Sequence, residues 1–139
     1  MTPDAPMTAQ DALVAIMVAV SAADEDIRTS ELVKMNNTIN NLPVFAGYDA
    51  ERVSRVAKMV FEILEPEDGL EAMFGLIRDA LPEKLNETAY AMACDVAAAD
   101  GIIDDPENRM LEEIRYELNI DRLHAAAIER GSRARHMTL

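Results

Sequence analysis

The chain has 139 residues, half of them apolar, with 26 Asp and Glu against 13 Lys and Arg and a formal net charge of -13. This length and apolar content suit one domain around one hydrophobic core and exclude disorder as the main state. The acidic balance repels phosphates, so nucleic acid is excluded as a partner and anionic membrane surfaces are disfavoured.

Residues 1–7, with Pro3 and Pro6, read as a flexible lead. A helical domain then spans residues 8–131. Leu13, Val14, Ile16, Met17, Val18 and Val20 surround a first helix over residues 8–23 on all sides, which predicts a central buried helix. That run is too short for a membrane span of about 20 residues. Thr29 reads as the N-cap of a second helix reaching Asn41, with Leu32, Met35, Ile39 and Leu42 on its apolar face. Asp49 reads as the cap of a third, ending near Leu64, with Val53, Val56, Val60, Ile63 and Leu64 in its buried stripe. Pro66 and Glu67 open a fourth, in which Leu70, Met73, Phe74, Ile77 and Leu81 face inward and Gly69 and Gly75 weaken the pattern. A fifth runs over residues 83–99 and is apolar almost all round. Asp105 as N-cap and Pro106 in the first turn start a sixth, ending near Leu118. Asp121 caps a short seventh ending at Gly131, and residues 132–139 read as a flexible basic tail. Nothing alternates with a period of two, so the fold class is all-α: a single-domain bundle of about seven helices.

Two acidic loops repeat. Residues 97–107 read Ala-Ala-Ala-Asp-Gly-Ile-Ile-Asp-Asp-Pro-Glu, and residues 21–31 are a weaker copy. At an offset of 76 residues, Asp24 matches Asp100, Ile27 matches Ile103, Glu31 matches Glu107 and Met35 matches Leu111. The pattern predicts two pseudo-repeated helix-loop-helix units sharing one core. Carboxylates at a helix end and at the next helix start can converge on a hard cation such as calcium or magnesium, which takes oxygen ligands. Asp95, before Asp100, and Asp104 extend the acidic set. An EF-hand is excluded, because that loop places its last Glu at the twelfth position and Glu107 is the eighth from Asp100. Capping explains Glu31, Asp105 and Glu107 equally well. Asp95 and Asp100 are not placed to cap the following helix, and they favour a metal.

The string Ala99-Asp100-Gly101, an Asp-rich turn and Glu107 opening a helix resembles the tellurite-resistance TerB-like family, as does the Ala23-Asp24 … Glu31 copy. The resemblance covers most of the chain. It implies an all-helical module with a cation-binding acidic cluster and a role in tellurite or other chemical stress. It carries over to Asp24, Glu31, Asp95, Asp100 and Glu107, and extends to Asp26 and Asp104. Glu25 stands where the signature has Gly, a departure in the first loop.

The leading expectation is therefore a non-enzymatic module binding a divalent cation, calcium among the candidates. The alternative is an acidic interaction module with no metal, meeting a basic or membrane-complex-associated protein partner. A metal-dependent hydrolase ranks last, because it needs an open coordination position and a substrate cleft, and the sequence shows neither. Cys94, the one cysteine, reads as a buried thiol, and no disulfide framework exists. Without a basic, apolar secretory start, the expected setting is cytoplasmic. Phe61 and Phe74 read as core, and Phe45 and Tyr48 as loop-packing residues.

Overall fold

The computed structural model describes residues 7–23, 27–99 and 101–139. Among them are seven α-helices: α1 (Ala9–Ala22), α2 (Thr29–Asn41), α3 (Arg52–Leu64), α4 (Gly69–Ala80), α5 (Asn86–Ala97), α6 (Asp105–Glu117) and α7 (Arg122–Arg135). Short 3-10 turns at Pro43–Phe45 and Glu83–Leu85 precede α3 and α5. The described residues hold no strand, and the fold is all-α. No helix among them is long and apolar enough to cross a membrane.

Helix α1 is the axis of the bundle. Every residue from Asp11 to Ser21 is buried, and the helix packs against α3, α4, α5 and α6. Thr8 caps it in a reciprocal box: its hydroxyl accepts from the Asp11 N–H at 3.0 Å, and the Asp11 carboxylate accepts from the Thr8 N–H at 3.2 Å. Asp11 has no accessible surface, and it also takes Arg52 Nε at 3.1 Å, Arg52 Nη2 at 2.5 Å and the Tyr48 hydroxyl at 2.9 Å. One carboxylate thus caps α1 and locks it to α3 and the preceding loop. Phe45 is buried beside this lock, its ring 5.6 Å from that of Tyr48.

Several element starts differ from expectation for local reasons. Arg28 is the N-cap of α2 and makes no side-chain capping bond to it, which puts Thr29 inside the helix. Asp49 accepts from the Glu51 N–H at 2.9 Å in a turn, and α3 starts only at Arg52. Asp104 rather than Asp105 caps α6, because its carboxylate accepts from the Glu107 N–H at 3.0 Å. Helix α7 continues past Gly131 to Arg135. Buried Ser132 and an Arg135–Asp95 ion pair at 2.8 Å hold its last turn, so residues 132–135 are helix rather than tail. Leu32, Leu42 and Phe61 are exposed, since Met35 and Ile39 are the buried apolar residues of α2, and Val56 and Val60 those of α3.

A close approach explains Gly69, which opens α4. A Cβ there would lie 2.2 Å from the Ile63 carbonyl oxygen and 2.7 Å from the Leu64 Cα, both backbone atoms that cannot swing aside. Gly69→Ala is therefore expected to destabilise the chain by about 1–3 kcal/mol, the usual range for overpacking. A urea unfolding midpoint equal to wild type would refute that close contact. The α6–α7 corner is equally local. Asn119 adopts φ 54°, the Ile120 N–H reaches the Arg115 carbonyl at 3.0 Å, and Asp121 caps α7 immediately after.

Candidate acidic cluster at the starts of α2 and α6

The N-termini of α2 and α6 meet, and they do so through residues in equivalent positions. The two N-caps pair: Arg28 Nη2 donates to Asp104 Oδ2 at 2.9 Å, across a separation of 76 residues. Arg28 Nη1 also donates to the Ile102 carbonyl at 3.4 Å. The third residues of the two helices, Glu31 and Glu107, are both 0% exposed. Arg28 lies 4.0 Å from Glu31 Oε1 and 3.9 Å from Glu107 Oε1. Gly101, at φ 84°, makes the bend that feeds the second unit, a conformation glycine adopts without strain.

Total burial changes the meaning of these two carboxyls. A glutamate that merely caps a helix keeps its head group in water. Glu31 and Glu107 instead sit against each other inside the protein. Burial, then a hydrogen bond with Glu31 and the Glu31 charge, then the Asp104 charge push Glu107 up to about 8. The arrangement is two buried carboxyls that disfavour each other's charge, with a guanidinium at their edge. The carboxylates offer only oxygens, the donor set that hard divalent cations select.

A model of one family, described as Tellurite resistance protein TerB, matches residues 10–130. The chain belongs to the TerB family. The match runs from α1 into α7 and takes in both acidic helix starts. No curated protein and no solved structure matches the chain.

Within this TerB fold the sequence-predicted residues divide into three groups. Glu31, Glu107 and Asp104 converge, with Arg28 among them. Asp95 is committed elsewhere, in its ion pair with Arg135 of α7. Asp24, Asp26 and Asp100 lie outside the described residues. Among the described residues no group of three or more His, Cys, Asp or Glu side chains is placed to hold a metal ion. Arg28 is the member of the cluster that acidic spacing alone does not reveal. Its signal lies in the repeat, where the 76-residue offset sets Arg28 opposite Asp104, a cation against an anion.

Cys94 fits its reading as an inert thiol. It is buried on α5, and loss of solvation pushes it up to about 12.

Proposed function

We propose that the acidic cluster at the starts of α2 and α6 takes up a divalent cation, calcium or magnesium, in a non-enzymatic TerB module that serves the response to tellurite or related chemical stress. One observation carries this reading: two glutamates, Glu31 and Glu107, are both fully buried and both stand within 4.0 Å of the same Arg28 guanidinium. Two adjoining buried carboxylates repel unless a proton or a cation stands between them. A divalent ion would supply that charge to oxygens that water does not reach. Glu31 and Glu107 are the ligands proposed from the described residues, and Asp104, paired with Arg28, stands beside them. Asp24, Asp26 and Asp100 are proposed to join them, from their places in the repeat and in the family signature. Asp95 is left out, because Arg135 already neutralises it. Bound cation would hold the two helix starts together and fix the surface offered to a basic protein partner in the cytoplasm.

A second reading rests on Arg28. Its guanidinium bonds Asp104 and stands within 4.0 Å of both glutamates, so it can act as a built-in counter-charge. The cluster would then be a structural latch, and the acidic surface would bind its partner without metal.

Titration of metal-stripped chain with calcium, magnesium and manganese, followed by calorimetry and melting, separates the two. Saturable binding and a raised melting temperature, both lost in Asp100→Ala/Glu107→Ala, support the cation site. No binding at millimolar cation would leave Arg28 as the counter-charge and overturn the first reading.

A further inference from the structure

A cavity of about 440 Å³ lies between α5, α6 and α7. Its volume falls in the roughly 300–1,000 Å³ range of small-molecule sites. Tyr90 and Cys94 of α5 and Leu111 of α6, all buried, form an apolar inner wall. The charges along one side are already satisfied. The Tyr90 hydroxyl donates to Glu129 Oε2 at 2.6 Å, and Arg115 lies 3.5 Å from the same oxygen.

The last turn of α7 is different. Ser132 lines the cavity, is 2% exposed, and its hydroxyl has no hydrogen-bond partner among the described residues. A buried hydroxyl left unmatched is costly and rare in a native interior. Arg133 lines the same turn and forms no ion pair among the described residues, in a chain where acids outnumber bases two to one. His136 completes the turn. Its Nδ1 is 2.7 Å from the Ser132 carbonyl. A carbonyl only accepts, so Nδ1 carries the proton and Nε2 is the nitrogen left for another partner. A hydroxyl, a guanidinium and an imidazole on one helical turn, beside an apolar wall, form a head-and-tail arrangement.

We propose that this cavity binds a small amphipathic carboxylate, its apolar body against Tyr90, Cys94 and Leu111 and its carboxylate on Ser132, Arg133 and His136. The inference does not rest on the cation site, which uses other residues, although α6 carries both: Glu107 opens that helix and Leu111 lies one turn on. Glu112 on the facing α6 wall limits the ligand to one whose charge sits at the α7 end.

Calorimetry of the full chain in EDTA at pH 7 tests it, with octanoate as the probe and octanol and octylamine as controls. Octanoate should bind saturably at one per chain, at least about tenfold tighter than either control. Arg133→Gln/His136→Gln should weaken octanoate by about tenfold or more with no change in melting temperature. Ser132→Ala should weaken it too, while leaving the melting temperature unchanged or raised, since it deletes an unmatched hydroxyl. Octanol or octylamine binding as tightly as octanoate would overturn the proposal. So would octanoate binding unaffected by these variants, or no saturable binding at all.

Discussion

The cation-free chain should melt at a progressively lower temperature as pH rises from 5 to 8. Glu107 is held up to about 8 in the folded protein, against roughly 4.3 for a free glutamate. Between those values the folded state keeps a proton that the unfolded chain has released. Stability therefore falls with rising pH across that window and is unaffected by this group below it. A tenfold difference in proton affinity between the two states corresponds to about 1.4 kcal/mol, so the total loss is on the order of a few kcal/mol. Asp11, Cys94, Tyr48 and Tyr90 act outside this window. Asp11 is lowered from its usual value, so its contribution is lost only as pH falls through the acid range. The Cys94 thiol, raised to about 12, and the raised Tyr48 and Tyr90 phenols act only above the window. Glu107→Gln keeps the shape and removes the titration, so it should flatten the profile and raise the melting temperature at pH 8. The check is a series of melts in EDTA across this range for both proteins. A flat wild-type profile, or a mutant that follows the wild type, would contradict the pairing of the two carboxyls.

Arg52→Met should cost about 3–5 kcal/mol, the largest single-residue effect anticipated on the α1–α3 side of the bundle. Asp11 is completely buried, and burial alone would raise its pKa. Hydrogen bonds from Arg52, then Thr8 and Tyr48, more than reverse that effect. Methionine keeps much of the bulk and removes both guanidinium bonds to the carboxylate. A buried anion would remain with the Tyr48 hydroxyl and the α1 cap as its partners, and the chain should take up a proton there on folding. Asp11→Asn/Arg52→Met removes the stranded charge and should recover part of the loss. Urea unfolding at pH 7 measures all three proteins. A loss below about 1 kcal/mol for Arg52→Met would show that the ion pair is a surface-strength contact rather than a buried lock.

The lock also marks where sequence reading stops. The α1 run from Leu13 to Val20 has no polar face, so its central place was legible from the residues alone. So was the all-α class, and so were the acidic starts of α2 and α6. The Asp11–Arg52 contact was not, because it joins residues 41 apart whose local patterns read only as a first-turn acid and a surface base. Element starts shifted by one or two residues where a side chain could cap from either of two neighbours, as with Asp104 and Asp105. Phe61 looked like core from its hydrophobicity, but α3 buries a stripe only two valines deep and leaves that ring outside. At the candidate site, the equivalence of Glu31 and Glu107 was readable. Their full burial was not, because two glutamates at helix starts look like solvated caps until tertiary packing closes over them. The pairing of Asp95 was not readable either, because α7 runs one turn further than its pattern predicts and brings Arg135 to it.

The proposed cation site stands or falls with the paired glutamates, and proton release on cation binding tests them most directly. At pH 7 a carboxyl held near 8 is largely protonated, and a cation entering between Glu31 and Glu107 must displace that proton. Calcium calorimetry at pH 7, in buffers of different ionisation enthalpy, reads the number released. Close to one proton per bound calcium is expected in the wild type and none in Glu107→Gln. Calcium binding with no proton release would place the ion away from these carboxyls and contradict the claim.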